Sequence, residues 1–195
     1  MATRTPPDYY HALYDVARTI NSSLRLPQVL NLIVESTARA LDARACALRL
    51  LDPAHLRLEV EASHGLSETY VGKGPVEVAH SPVDAEALRG RPVHIRDAAH
   101  DSRLQYPAAA AAEGIASMLV VPVKVKDTVI GVVRVYTAER HEFTPDEVDF
   151  VEIVANLGGI AIENARVYEA LEAQFETIRR EKVPWAENFA KPGWR

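Results

Sequence analysis

Residues 113–165 read EGIASMLVVPVKVKDTVIGVVRVYTAERHEFTPDEVDFVEIVANLGGIAIENA, and the pattern in this stretch decides the fold. Ser117 to Val125 is almost continuously apolar and β-branched, and Val129 to Tyr136 repeats that character. Such residues suit a pleated, largely buried surface. Lys126-Asp127 between them has the length of a two-residue hairpin loop, although the usual glycine is missing. The first pair is then Val125 with Thr128, which places Val121 opposite Val132. Thr144-Pro145-Asp146-Glu147 follows the second strand: a capping hydroxyl, a proline suited to the first helical position, and a glutamate that returns the bond. Two paired strands therefore feed a helix.

The helix is long. Val148, Val151, Val154, Leu157, Ala161, Ala165, Tyr168, Leu171, Phe175 and Ile178 recur in steps of three or four. The stripe outruns what one small domain covers, so its second half needs another helix, in the manner of a coiled coil. The first helix of the chain and a second copy of the chain are both candidates. From Pro184 the segment PWAENFAKPGWR reads as an irregular tail whose tryptophans are available for docking.

Upstream, Asp8 to Leu24 carries Leu13, Val16, Ala17, Ile20 and Leu24 at helical spacing, and a second helix starts near Leu26-Pro27. Arg44 to Leu51 reads as a strand. Leu56, Leu58, Val60 and Ala62 alternate with charged residues, as in a half-exposed strand near a sheet edge. Short helices are expected at Ser67–Val71, after Ser81-Pro82-Val83-Asp84, and at Ala108–Glu113, with a strand at Arg91–Arg96. The long connection from Asp97 to Ala116 is of the kind that covers binding sites.

Composition narrows the function. The 195 residues are 48% hydrophobic and 25% charged, ordinary for a globular chain, and the net formal charge of −5 argues against a nucleic-acid surface. No apolar run approaches the roughly 20 residues that span a bilayer. One cysteine, Cys46, allows no intrachain disulfide and no multi-cysteine metal site. A cytoplasmic protein that uses neither nucleic acid nor membrane is the simple reading.

The element order, with the fragments RLLDP, GRPVHIRDAAHDSRL, EGIASMLVVPV, VIGVVRVY and FTPDEVDFVEIVANLGGIAIENA, resembles a GAF domain over roughly Leu26 to Tyr168. That resemblance implies an α+β fold. A central antiparallel sheet carries the N- and C-terminal helices on one face, and short helices and loops cover a small-molecule pocket on the other. It also implies that the strand at Arg44–Leu51 lies beside Val129–Tyr136. Residues 1–25 are then a dimerisation helix, 26–165 the domain, 166–183 a helical extension and 184–195 the tail. The expected function is a non-catalytic sensor that binds a small molecule and relays its state through the terminal helices, as a homodimer, to a signalling partner or output domain. The alternative is an interaction or structural subunit with no ligand. If the chain is whole, its signal acts in trans; if it is a piece, an output domain lies elsewhere.

Arg134 interrupts Val132-Val133-Arg134-Val135, and Arg49 interrupts Ala47-Leu48-Arg49-Leu50. A buried guanidinium needs a partner. The functional reading has one or both holding an anionic group of the ligand, with Leu119 and Val121 beside them in the pocket and Tyr106 either reaching it from the long connection or packing beneath that connection. The competing reading is a salt bridge to Glu59, Glu61 or Asp97, or exposure. His94 is weighed as a haem ligand or pocket donor against a strand residue with a local partner, and Cys46 reads as a small buried apolar residue. Asp97, Asp101 and Arg103 match a recurring loop of the family and read as scaffold. The resemblance implies a pocket cysteine in bilin-attaching members, several cysteines in free-methionine-sulfoxide reductases and an Asn-Lys-x-Phe-Asp-Glu pattern in cyclic-nucleotide binders; this chain has none of these. No nucleophile–base pair, phosphate loop or metal spacing is visible, and no cofactor is named.

Overall fold

The computed structural model describes residues 7–22 and 25–189, with side chains placed over 9–20 and 25–179. Helices α1 (Pro7–Ser22) and α2 (Leu26–Ala40) lead into strands β1 (Ala45–Leu51) and β2 (Arg57–His64). Then come α3 (Glu68–Val71), β3 (Val76–Glu77), a 3₁₀ turn, α4 (Pro82–Ala87), β4 (Val93–Ile95) and α5 (Pro107–Ala112). The hairpin β5 (Ser117–Val125) and β6 (Thr128–Thr137) precedes α6 (Pro145–Phe189). The sheet order is β3-β2-β1-β6-β5-β4, and every neighbouring pair is antiparallel. β1 lies against β6, as the resemblance implies.

The capping box forms. Thr144 N–H donates to Glu147 Oε2 at 2.8 Å, and Glu147 N–H donates to Thr144 Oγ1 at 3.3 Å. α6 then lies across one sheet face with α1 and α2. Val29, Leu30, Ile33 and Val34 of α2 and Phe150, Val151, Val154, Ala155 and Ile162 of α6 bury against Cys46, Leu48, Leu119, Val121, Val133 and Val135. Tyr9 of α1 stacks on Phe150, ring centroids 4.7 Å apart. α1 therefore closes over the first half of α6. It leaves Val167, Tyr168, Leu171, Phe175 and Ile178 exposed, together with its own Tyr10 and Tyr14. α6 also continues past Pro184 to Phe189, where a tail was expected. A proline in a helix forfeits one donor, and here the helical backbone runs on through it. Trp194 lies outside the described residues.

Two β-bulges set the faces. In the hairpin Val125 pairs with Thr128 as expected, and Lys124 with Val129. The register then slips: Val123 meets Gly131, leaving Ile130 as the extra residue, so Val121 opposes Val133 rather than Val132. A one-residue slip turns every following side chain over. Leu119 and Val121 therefore belong to the helix face, and Met118 and Val120 take the opposite side. The second bulge skips Glu61 between the pairs Leu48–Ala62 and Arg49–Val60. It breaks the alternation read along β2, sending Leu58 to one face and Ala62 to the other.

Candidate functional site

On the face away from the long helices, β1 presents Ala45, Ala47 and Arg49, and β6 presents Tyr136, Arg134 and Val132 as their cross-strand partners. The two alanines leave space over β1 for the large side chains of β6. Both arginines are buried. Arg134 is met from above by Asp84 of α4: Nε lies 3.1 Å from Oδ1, and Nη2 contacts Oδ2. Ser81 Oγ donates to the same carboxylate. Burial works against the Arg134 charge; Asp84 outweighs it and holds the guanidinium above its ordinary range. The partners expected from sequence do not take part. Glu59 and Glu61 are exposed, and Asp97 joins His100 and Arg140.

Arg49 is different. It is 0% exposed, and Nη1 alone is satisfied, by the Leu58 carbonyl at 3.3 Å. Among the described residues Nε and Nη2 meet no acceptor, and the buried Tyr136 hydroxyl has no partner either. Burial, and then the neighbouring Arg134 charge, pull the Arg49 guanidinium below its ordinary range. Tyr70 of α3 packs edge-on to Tyr136 with centroids 6.1 Å apart, and burial pushes its phenol up.

On the same side lies a cleft of about 240 Å³, open mouth included, lined by Tyr70, Lys73, Ser81, Gln105, Tyr106 and Arg134 among others; Arg134 reaches its wall, and Arg49 and Tyr136 do not. Its inner part has room for roughly one water. Tyr106 stands at the N-cap position of α5; its hydroxyl accepts from Gln105 Nε2 at 3.1 Å and donates to the Pro75 carbonyl at 3.2 Å. The far side is fastened by Glu113, which accepts from Ser67 N–H at 2.9 Å and from Ser67 Oγ, with Arg44 at 3.6 Å. Lys73 Nζ sits 3.6 Å from the Tyr70 ring centroid and donates to the Tyr70 carbonyl at 2.9 Å. Burial, then Arg49 and Arg134, lower its pKa to about 7, against the opposing pull of Glu113 and Asp84.

That value has a pH consequence. The ordinary lysine value of 10.5 stands for the unfolded chain, and the folded value is lower. Folding therefore expels a proton between about 7 and 10.5, and stability contributed at Lys73 rises with pH across that window. Below it the charged form is penalised in full. The urea midpoint of the protein is expected to climb from pH 7 to pH 9.5 more than that of Lys73→Met; parallel profiles would refute the assignment.

Of the residues expected in the pocket, Arg49, Arg134 and Tyr106 come together on this face, while Leu119 and Val121 are corrected to the opposite face by the hairpin bulge. His94 also faces the helices, edge-on to Phe143 at 5.7 Å, so it is not a pocket donor. Cys46 is buried under the helices with its thiol pushed up by desolvation. Arg103 spends its guanidinium on Asp101 and the His94 carbonyl. Sequence reasoning passed over Asp84, hidden in a helix-start motif, and Lys73, whose Gly72-Lys73-Gly74-Pro75 setting is a signal for a basic residue in a turn.

Residues 23–163 match the family model of the GAF domain. Solved structures agree on the fold. The GAF domain of a phosphoenolpyruvate-protein phosphotransferase from Coxiella burnetii is 24% identical, with a TM-score of 0.74 over 86% of this chain and 99% of that one. A domain of a putative two-component sensor histidine kinase from Sinorhizobium meliloti 1021 is 23% identical, with a TM-score of 0.64 over 74% of this chain and 95% of that one. A free methionine-R-sulfoxide reductase from Neisseria meningitidis, solved with its substrate, is 16% identical, with a TM-score of 0.70 over 86% and 97%.

Proposed function

Because the chain belongs to the GAF domain family, we propose that it is a non-catalytic sensory module that binds a small anionic molecule in the cleft over Arg49 and Arg134. One observation carries the reading: Arg49 is fully buried with two donors unanswered by the described residues. A charge left so is expensive unless a counter-charge reaches it. The long α6 is the output. Ile160, Val167, Leu171 and Ile178 are exposed at spacings of a heptad seam, and a second copy of the chain covers them, with Tyr10 and Tyr14 of α1 at its margin. A ligand that shifts the α3–α5 cover changes how the sheet seats these helices, and a signalling partner reads the change. A reductase activity is disfavoured by Cys46, whose thiol is buried on the face opposite the cleft. Among the described residues no helix is long and apolar enough to cross a membrane.

The narrowness of the cleft favours a second reading, an interaction subunit that uses the same helices with no ligand. Native mass spectrometry of the purified chain separates the two. The sensory reading expects a dimer in which each chain retains a small molecule; a dimer without one supports the second, and a bare monomer removes both.

A further inference from the structure

Resting on that reading, the geometry points to the chemical class of the ligand: we infer that its anionic group is a single carboxylate, gripped side-on by Nε and Nη2 of Arg49, with the Tyr136 hydroxyl as a third donor. The two unanswered nitrogens of Arg49 are not arbitrary. Nε and Nη2 form one edge of the guanidinium, with parallel N–H bonds that match the two oxygens of a carboxylate. The protein itself shows the match one strand away, where the same edge of Arg134 holds both oxygens of Asp84. Nη1 of Arg49 is spent on the Leu58 carbonyl, which fixes the plane of the fork.

Charge selects the same class. Among the described residues the buried charged side chains are Arg49, Asp84, Glu113 and Arg134. Asp84 answers Arg134, and Glu113 is held by Ser67 and Arg44. Among these four, Arg49 is left without a counter-charge, and a monoanionic group answers it; Lys73, with a pKa of about 7, adds only a partial charge at the cleft wall. A phosphate would bring more acceptor oxygens than one fork and one phenol can satisfy. Tyr136 projects from the same sheet face as Arg49, and its hydroxyl is likewise buried and unpartnered among the described residues. The remainder of the molecule points outward past Tyr70, Lys73 and Tyr106. The cleft has room for roughly one water, so the remainder of the molecule enters only as the α3–α5 cover moves outward.

The test is thermal unfolding of the full chain in sodium acetate and sodium formate, against sodium chloride and sodium phosphate at matched ionic strength. Acetate and formate are expected to raise the melting temperature saturably, and chloride and phosphate are not. Arg49→Met is expected to abolish the response. Tyr136→Phe, which keeps the ring and removes one donor, is expected to weaken the apparent acetate affinity about tenfold. An equal response to all four salts, or an acetate response that survives Arg49→Met or is unchanged in Tyr136→Phe, would overturn the assignment. A small molecule retained equally by the protein and by Arg49→Met in native mass spectrometry would sink the carboxylate fork while leaving the sensory reading standing.

Discussion

Asp84→Ala is expected to cost about 3–5 kcal/mol of folding stability. The carboxylate is 0% exposed and the Arg134 guanidinium it holds is 3% exposed. Removing it leaves Arg134 buried beside Arg49, two like charges with no acidic side chain between them, and strips Ser81 of its acceptor. The loss is mostly the penalty of an uncompensated buried charge. Arg134→Met in the Asp84→Ala background is therefore expected to recover much of the loss, because the second change removes the charge that the first one stranded. Glu142→Ala serves as the contrast. Its pair with Arg96 is more than two-thirds exposed on both sides, and such pairs contribute about 0–1 kcal/mol. Urea denaturation of the four proteins decides the matter. A loss below about 1 kcal/mol for Asp84→Ala would mean that water reaches the pair and that the interior of this face is wetter than its packing implies.

That pair also marks the boundary of what the sequence makes legible. Local signals are short-range, and the chain carries many: the β-branched runs of β5 and β6, Thr144 and Glu147 at the head of α6, and the stripe from Val148 onward each encode an element within a few residues. The family fragments then order those elements in space. Arg49 and Arg134 were conspicuous for a similar reason, since a guanidinium inside an apolar run is visible without knowing its surroundings. The partner of Arg134 was not visible, because Asp84 lies on a short helix far along the chain and meets Arg134 only through the fold. The bulge at Ile130 was hidden differently. Either register of the hairpin satisfies an almost unbroken apolar strand, because both faces of β5 are buried and the alternation that would fix the register is absent. An unbulged register of that run puts Leu119 and Val121 on the cleft face, and the bulge turns them to the helices.

The bulge has a second consequence, at two adjacent glycines of α6 whose alanine variants are expected to move stability in opposite directions. A Cβ on Gly159 would stand 1.9 Å from the Lys124 carbonyl oxygen, at the residue where the hairpin register slips. Backbone has to move to admit it: either α6 lifts off the sheet or the bulge is forced out of shape, at a cost of about 1–3 kcal/mol. A Cβ on Gly158 would meet Leu48 Cδ1 at 3.5 Å and Ile33 Cδ1 at 3.7 Å, ordinary van der Waals contact in the helix-face core. There the substitution fills space and removes the helical penalty of glycine, a gain of up to about 1 kcal/mol. Propensity is the same at both positions, so the difference between the two variants isolates the close approach of α6 to Lys124. Gly159→Ala is also expected to disturb the seat of the helix that carries the proposed output, and Gly158→Ala to leave it in place. Thermal or urea unfolding of the two variants is sufficient to check the signs. If Gly159→Ala proved as stable as Gly158→Ala, then α6 would not rest on the bulge, and the mechanical link drawn from cleft to helix would lose its tightest contact.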